Sequence, residues 1–183
     1  MRKISMVIFL TLGLWQISAS GYMLAKAYLS QYLIEDAWQK TLLDGEKHKP
    51  WSWADTYPVF KMVFPRINKS SIVLEGDSGR NMAFSATHTQ SSGLPGSNKT
   101  TVVSGHRDSH FEYLQELKLG DKIVASMKNG SYNYRVERFE IVDSSNNQIQ
   151  ISNTDQLILT TCYPFASLQT GGSLRFVVYT TRI

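Results

Sequence analysis

Cys162 is the single cysteine of this 183-residue chain and the candidate nucleophile. It follows the apolar segment 157–161 and precedes Pro164, where the chain must leave a sheet because proline cannot donate to a strand ladder. A thiol at a strand end, beside a loop, is accessible to a substrate. Thiol catalysis also needs a titrating partner for the leaving group and donors for the oxyanion. Taken alone, Cys162 could equally be a small buried hydrophobic residue.

Four histidines compete for the acid/base role. His106 comes directly after a glycine at the end of the predicted strand 101–104, so the backbone can turn and present the ring at a rim. His48 lies in a linker between two lysines, and we expect it to be solvated. His88 and His110 lie in a loop or at a helix start with no second feature beside them. His106 is therefore the candidate, with a structural role as the alternative.

Arg175 is the candidate donor for an oxyanion or a substrate carbonyl. It begins the last predicted strand, thirteen residues after Cys162. If the two strands are neighbours, both side chains share one edge of the sheet, where the permanently charged guanidinium can donate. The alternative is a surface arginine packed beside Phe176.

The elements that must position these residues are β-strands. From Tyr57 onward, short runs of Val, Ile, Phe and Tyr alternate with turn residues every eight to twelve positions, which indicates an all-β sandwich or barrel. Asn129-Gly130 is typical of a hairpin turn. A short helix is expected over 111–117, with Asp108 or Ser109 as its N-cap. Strands are predicted over 59–64, 71–74, 100–104, 121–127, 132–142, 157–162 and 174–181.

The N-terminus predicts export. Arg2 and Lys3 precede 22 uncharged residues, Ile4 to Ala25, which as a helix measure about 33 Å and can cross a bilayer core of roughly 30 Å. The positive flank places the N-terminus in the cytoplasm. A cleaved signal peptide, with Ser18-Ala19-Ser20 as the cleavage site, is the competing interpretation.

An amphipathic helix is expected after the span, over 27–43. It sets Tyr28, Tyr32, Ala37 or Trp38 and Leu42 near helical spacing, and Asp44-Gly45 ends it. Trp51 and Trp53 follow in a loop and either meet the membrane interface or cap the β-domain. We therefore divide the chain into a cytoplasmic tip and anchor (1–26), a helix and linker (27–55) and a β-domain (56–183).

Composition excludes several classes. Charged residues make up 19% of the chain and the hydrophobic set 42%, which excludes disordered and collagen-like proteins. The net charge is +4, but the basic residues are scattered singly, so no nucleic-acid partner is predicted. One cysteine excludes an intramolecular disulfide. Acidic residues in the predicted loops are isolated, and we predict no metal and no cofactor.

The residues resemble those of the sortases, cysteine transpeptidases of bacterial cell surfaces. Leu159-Thr160-Thr161-Cys162 matches the family's Leu-x-Thr-Cys motif, the segment 101–108 is similar to its histidine strand, and Leu174-Arg175-Phe176 falls where its arginine follows. The resemblance covers about 56–183. The sequence Gly105-His106-Arg107-Asp108 is most similar to the corresponding segment of class D-type sortases. Cys162-Tyr163-Pro164-Phe165 and Pro50-Trp51-x-Trp53-Ala54-Asp55 are similar to the class of Gram-negative proteobacteria.

This resemblance implies a closed eight-stranded β-barrel. With seven strands predicted, the eighth is expected near 81–86 or 148–151. The resemblance also implies that Cys162 cleaves an LPXTG-like sorting signal of an exported protein through a thioester and transfers the acyl group to an amine acceptor.

The resemblance further implies a role for each neighbouring residue. His106 would move the protons and Arg175 would hold the carbonyl or the oxyanion. Thr161 and Thr160 would contact substrate, although Thr161 fits plain packing equally well. From its position alone, Asp108 could accept a hydrogen bond from His106 or Arg107 and so orient it, or cap the following helix, which we favour. The expected location is the bacterial inner membrane, single-pass, with the catalytic domain periplasmic or otherwise extracytoplasmic.

Two other classes remain open at this stage. A thiol peptidase would use the same Cys162 and His106 with water as the final nucleophile. A membrane-anchored binding domain would leave Cys162 inert, and its basic pI of about 9.1 would serve attraction to anionic polymers. An L,D-transpeptidase is disfavoured, because the His-Gly-x-x-Ser-x-Gly-Cys signature is absent around Cys162.

Overall fold

The structure, a computed structural model, describes residues 2–167 and 171–183. Within them, a long helix α1 (Arg2–Asp44) precedes eight strands that close into a barrel in the order β1-β2-β3-β4-β7-β8-β6-β5. The helices between strands are α2 (Gly79–Met82) and two 3₁₀ turns, Pro65–Ile67 and Glu112–Glu116. The strands are β1 (Pro58–Phe64), β2 (Lys69–Glu75), β3 (Thr87–His88), β4 (Thr101–Ser104), β5 (Lys122–Met127), β6 (Gly130–Asp143), β7 (Leu157–Cys162) and β8 (Leu174–Arg182).

The barrel interior is filled by side chains that alternate along the strands. Burial along β1 alternates strictly, with Phe60, Met62 and Phe64 inside. In β7 five of the six residues are buried, because its outer face is also covered. There Ile158 packs with Val102 and Val177 in a second apolar cluster. The closed eight-stranded barrel confirms the predicted fold class.

The position of the eighth strand was predicted wrongly. It is β3, a two-residue strand at Thr87–His88, whereas 81–86 holds the end of α2 and 148–151 is not a strand. So short a strand carries no alternation that a sequence pattern can show. It forms because it pairs with β2 in parallel and β4 in antiparallel orientation, which closes the barrel.

Helix α1 differs from the predicted division into a span and a separate amphipathic helix, because it runs without a break from Arg2 to Asp44. The helix ends as predicted, at a glycine with a positive φ, Gly45. Of the residues predicted on the packed face, Ala37 and Trp38 are buried and Leu42 packs beside them, whereas Tyr28 and Tyr32 are exposed and Ile34 is buried instead. Its N-terminal part is apolar, its side chains over 4–6 and 8–29 are exposed, and it is long enough to span a membrane.

The linker tryptophans behave differently from each other. Trp51 is half-buried and its ring centroid lies 4.8 Å from that of Phe84, so it covers the outer side of the barrel. Trp53 is exposed. The capping role therefore applies to Trp51.

Strand directions define two ends of the barrel. Strands β4 and β7 run parallel, so Ser104 and Cys162 lie at the same end, and the antiparallel β8 begins there with Leu174. The loop 93–97 precedes β4 and lies at the opposite end, where the Gly93 N–H donates to the Thr100 carbonyl at 2.7 Å. The end that holds Cys162 is called the cysteine rim below.

Candidate active site

Cys162 and Arg175 face each other across the last two strands. They are directly paired in the antiparallel β7–β8 ladder, so their side chains project on the same side of the sheet. Both residues are half-buried. The Arg175 guanidinium is held locally, since Nη1 donates to the carbonyls of Gly172 at 2.6 Å and Leu174 at 2.9 Å. The proximity predicted from the spacing of the two residues is present at the level of the backbone.

His106 reaches the same rim from the other side of Cys162. The parallel β4–β7 pairing places Ser104 opposite Thr160, and the Gly105 N–H continues it by donating to the Thr160 carbonyl at 3.2 Å. Two residues further along each segment, His106 and Cys162 line the same cleft. The His106 side chain is exposed. The cysteine strand is thus flanked by the histidine segment on one side and the arginine strand on the other.

Of the two threonines before Cys162, Thr161 supports this arrangement from inside. The Thr161 hydroxyl is buried and donates to the Gly105 carbonyl at 2.7 Å, which fixes the backbone just before His106. The Thr160 hydroxyl is buried and makes no hydrogen bond within the described residues. The hydroxyl of Thr161 thus has a partner inside the protein, and substrate contact by either threonine stays a prediction.

A cleft of about 480 Å³ opens at the cysteine rim. It is bordered by the His106 turn, the end of β7 and both ends of the β7–β8 loop. Its lining residues are His106, Arg107, Asp108, Cys162, Tyr163, Pro164, Ser167, Gly171, Gly172 and Leu174. The Cys162 thiol and the His106 imidazole share this cleft, whereas the Arg175 side chain is not part of its lining. Residues 168–170 of the same loop lie outside the described part of the chain.

Arg107 is the site residue that reasoning from side-chain chemistry did not single out. It is buried, with 6% of its side chain exposed. Nη1 donates to the Pro164 carbonyl at 2.7 Å and Nη2 to the Ser167 carbonyl at 2.8 Å. The guanidinium therefore ties the segment after Cys162 to the turn that carries His106. A buried arginine cannot be told from an exposed one by sequence pattern, and its position beside His106 was the one available signal.

Asp108 does not cap the following helix, so that prediction was wrong. The 3₁₀ helix begins later than expected, at Glu112, and its N-cap position is Phe111, without a side-chain hydrogen bond. The Asp108 carboxylate, which is mostly exposed, accepts a hydrogen bond from Arg107 Nε at 2.9 Å. Asp108 thus contacts the arginine rather than the helix, and any orientation of His106 by Asp108 stays a prediction.

The three remaining histidines are outside the cleft. His88 is buried and bonded on both ring nitrogens: Nδ1 lies 2.8 Å from Glu75 Oε2, and Nε2 lies 3.0 Å from the Gly93 carbonyl oxygen. Burial lowers the pKa of His110, and the charge of His106 nearby lowers it further, against a hydrogen bond to a backbone carbonyl. His48 lies 2.7 Å from the Asp44 carboxylate at the end of α1.

The arrangement suits thiol-based acyl transfer. It combines a nucleophile at a strand end, an imidazole beside it and a permanent cation on the facing strand. Among residues 2–167 and 171–183, no three His, Cys, Asp or Glu side chains gather closely enough to hold a metal ion.

Comparisons with known proteins point to one family. The family model described as the sortase domain matches residues 62–183. "Sortase D" of Bacillus subtilis is 31% identical over 121 residues, which cover 65% of this chain and 61% of that protein. The chain thus spans less than two thirds of that relative's length. This relative agrees with the class D-type resemblance, while the proteobacterial subclass stays a prediction.

Solved structures share the fold. Sortase C1 from Streptococcus agalactiae is 26% identical, with a TM-score of 0.61 over 69% of this chain and 67% of that one. A Clostridium perfringens Sortase D5 transpeptidase superposes with a TM-score of 0.66 over 85% of this chain and 99% of that one, at 16% identity, a level at which the likeness is of fold. The family match extends over the whole barrel from the middle of β1 and includes His106, Cys162 and Arg175. The chain belongs to the sortase family.

Proposed function

We propose that this chain is a membrane-anchored cysteine transpeptidase that cleaves an LPXTG-like sorting signal of exported proteins and joins the acyl fragment to an amine. The observation that carries the proposal is the strand register at the cysteine rim. Cys162 lies opposite Arg175 and one parallel strand away from the His106 turn. Membership of the sortase family supports the same activity.

The first half-reaction forms a thioester. The Cys162 sulfur attacks the threonine carbonyl carbon of the sorting signal, and the negative charge moves to the carbonyl oxygen. His106 gives a proton to the departing amine as the peptide C–N bond breaks, a role typically worth about 10²- to 10⁴-fold in rate. The acyl group then remains on the sulfur.

The second half-reaction resolves the thioester. A primary amine attacks the thioester carbonyl while His106 takes a proton from its nitrogen. The C–S bond breaks, an amide forms and the thiolate returns. If water attacks instead, the same steps give hydrolysis, so the peptidase alternative differs in the acceptor alone.

Arg175 is the proposed stabiliser of the oxyanion in both halves. Its guanidinium has five N–H donors, and Nη1 alone makes the two bonds to Gly172 and Leu174. The remaining N–H groups are available as donors to a substrate oxygen. Loss of one such donor commonly lowers kcat by about 10²- to 10³-fold.

We propose that α1 anchors the enzyme in the bacterial inner membrane, with the N-terminus in the cytoplasm and the barrel outside. Support comes from the uncharged stretch Ile4 to Ala25 and the basic residues before it. Because α1 continues without a break onto the barrel, cleavage near Ser20 would still leave the packed part of the helix intact. The exported proteins that carry the sorting signal are the proposed partners.

The test uses the full-length protein in detergent with a fluorogenic LPXTG-like peptide and an excess of amine, with products identified by mass. We expect an amide product that disappears in Cys162→Ala and decreases strongly in His106→Ala and Arg175→Ala. His48→Ala and Arg80→Ala, which change a histidine and an arginine away from the cleft, serve as matched controls. Hydrolysis without an amide product would favour the peptidase. Cleavage that survives Cys162→Ala would exclude the proposal.

A further inference from the structure

A second cavity, of about 330 Å³, lies on the outer face of the barrel next to the cysteine rim. Helix α1 forms one wall through Gln31 and Glu35, and the start of β2 forms another through Ser71. The third wall is the turn that follows His106, through Ser109 and His110. We call it the helix-side cavity.

The helix-side cavity shares the His106 turn with the catalytic cleft. Residues 106–108 line the cleft, whereas Ser109 and His110 line the cavity. The turn is tight, because the His106 carbonyl accepts from the Phe111 N–H at 2.9 Å and the Ser109 N–H at 3.4 Å. A molecule in the cavity is therefore separated from the acyl-enzyme by a single turn of backbone.

The lining is rich in hydrogen-bonding groups, one of which is poorly satisfied. Tyr113 is nine-tenths buried (9% exposed) and lines the cavity, and its hydroxyl makes no hydrogen bond of ordinary geometry within the described residues, with the Ser71 hydroxyl as its nearest polar neighbour in the cavity wall. Leaving such a group unpaired in a buried site costs about 1–3 kcal/mol, which a bound polar ligand can recover. Ser71 and Ser85, whose hydroxyl oxygens lie 3.3 Å apart, add further donors and acceptors.

One loosely paired carboxylate adds a preference for charge. Glu35 Oε2 lies 3.5 Å from Lys61 Nζ, beyond ordinary hydrogen-bond distance, and Oε1 accepts from Gln39 at 2.7 Å. The Glu35 carboxylate can therefore accept from a ligand ammonium or amide N–H. The Lys61 ammonium beside it can donate to a ligand carbonyl or carboxylate. Together, a carboxylate, an ammonium and several hydroxyls can bind the ammonium, amide and carboxylate groups of a peptide that carries a primary amine.

We propose that the helix-side cavity binds the amine acceptor of the transpeptidation and presents its primary amine past the His106 turn to the Cys162 thioester. This assignment rests on the proposed function. Tyr113 and Glu35 are specificity-determining residues for the acceptor. The sorting signal occupies the catalytic cleft, whose lining includes the apolar side chains of Tyr163, Pro164 and Leu174.

The test measures how the acyl-enzyme is partitioned among nucleophiles. Full-length protein in detergent is incubated with the fluorogenic sorting peptide and one of two probes: hydroxylamine, which is too small to need the cavity, or a peptide amine, triglycine or Ala-Lys-Ala. The variants are Tyr113→Phe and Glu35→Gln, with Tyr28→Phe and Glu112→Gln as exposed controls outside the cavity. Thermal melting checks that each variant is folded.

We expect KM for the peptide amine to rise about tenfold in Glu35→Gln and about threefold to tenfold in Tyr113→Phe, which moves the product ratio toward hydrolysis. The ratio of hydroxylamine product to hydrolysis should change far less, and both controls should match the wild type.

Three results would overturn the acceptor assignment while the proposed function stands. The first is an unchanged KM for the peptide amine in both variants, and the second is a fall in total cleavage with an unchanged product ratio. The third is a wild-type acyl-enzyme that hydroxylamine resolves and neither peptide does. A wild type that cleaves no sorting peptide, or that yields hydrolysis with every nucleophile, refutes the proposed transpeptidation itself.

Discussion

Replacing Arg107 should impair catalysis more than it impairs folding. Its guanidinium is buried and joins the segment after Cys162 to the His106 turn through the Pro164 and Ser167 carbonyls, at 2.7 and 2.8 Å. Arg107→Ala removes both bonds but leaves Cys162, His106 and the strand ladders in place. The β7–β8 loop, which borders the cleft, then loses its tie to the histidine.

The magnitude follows from the two bonds. A hydrogen bond to a charged group contributes about 1.5–3 kcal/mol, so the two bonds together contribute about 3–6 kcal/mol, part of which holds the loop against the histidine turn. If half of the lower value, about 1.5 kcal/mol, is lost from the stabilisation of the transition state, kcat/KM decreases about tenfold. Misplacement of the loop by about 1 Å would extend the loss toward 10²-fold. Arg107→Lys keeps the positive charge but cannot donate to both carbonyls in the geometry of the guanidinium. Its kcat/KM should therefore lie between that of the wild type and that of Arg107→Ala.

The assay compares peptide cleavage with alkylation of Cys162 by iodoacetamide. The small reagent does not need the loop, so its rate should change less than kcat/KM, which separates loop positioning from general unfolding. Arg80→Ala is the matched surface arginine, 78% exposed in its side chain. A kcat/KM of Arg107→Ala within twofold of the wild type, at an unchanged melting temperature, would refute this reasoning.

Three further predictions concern the support of the site. In Gly105→Ala the new Cβ would lie 2.9 Å from the Phe111 ring, so we expect a loss of about 1–3 kcal/mol in urea unfolding and a large loss of cleavage, and full activity would show that the turn adapts. His88→Ala removes a buried ring bonded on both nitrogens and should lower the unfolding free energy by about 2–4 kcal/mol. A change below about 0.5 kcal/mol, the usual size for a substitution at the surface, would contradict this expectation. The Arg66 hydrogen bonds hold the pKa of Asp121 below its ordinary value, so its contribution to stability is full above the unfolded-state pKa of about 3.9 and is lost as the pH falls through the folded-state pKa. Urea unfolding at pH 7 and pH 3 should therefore show a smaller acid-induced loss for Asp121→Asn, and equal losses would refute the assignment.

Most strands of the barrel could be predicted from local sequence patterns. The alternation in β1 and the hairpin signal at 128–131 are properties of short segments, and the structure has strands at both places, although the hairpin turns at 128–129 and Gly130 is already paired with Met127. The strand β3 was missed because two residues hold no period. The helix cap at Asp108 failed for a related reason, since the 3₁₀ helix starts after Phe111, which is buried in the core and sets its beginning.

The face of α1 shows where a pattern is ambiguous. The predicted stripe meets the barrel at Ala37, Trp38 and Leu42 but not at Tyr28 and Tyr32, and helical spacing alone does not show where along the helix the contact begins. The outer residues Ile72 and Leu74 of β2 decide it, because the stripe of Ile34 and Trp38 fits against them. The tyrosines are left exposed.

The sequence by itself determined which groups are available for chemistry: one thiol at a strand end, a histidine after a glycine, an arginine on the last strand and an uncharged apolar N-terminus. Residue type and position along a strand suffice for that, since both are local. The tertiary structure alone decided which strands are neighbours, and so that Arg175 faces Cys162 and that Arg107 reaches Pro164, 57 residues away. Pairing, burial and cavities arise from contacts between distant segments, which no spacing in the chain encodes.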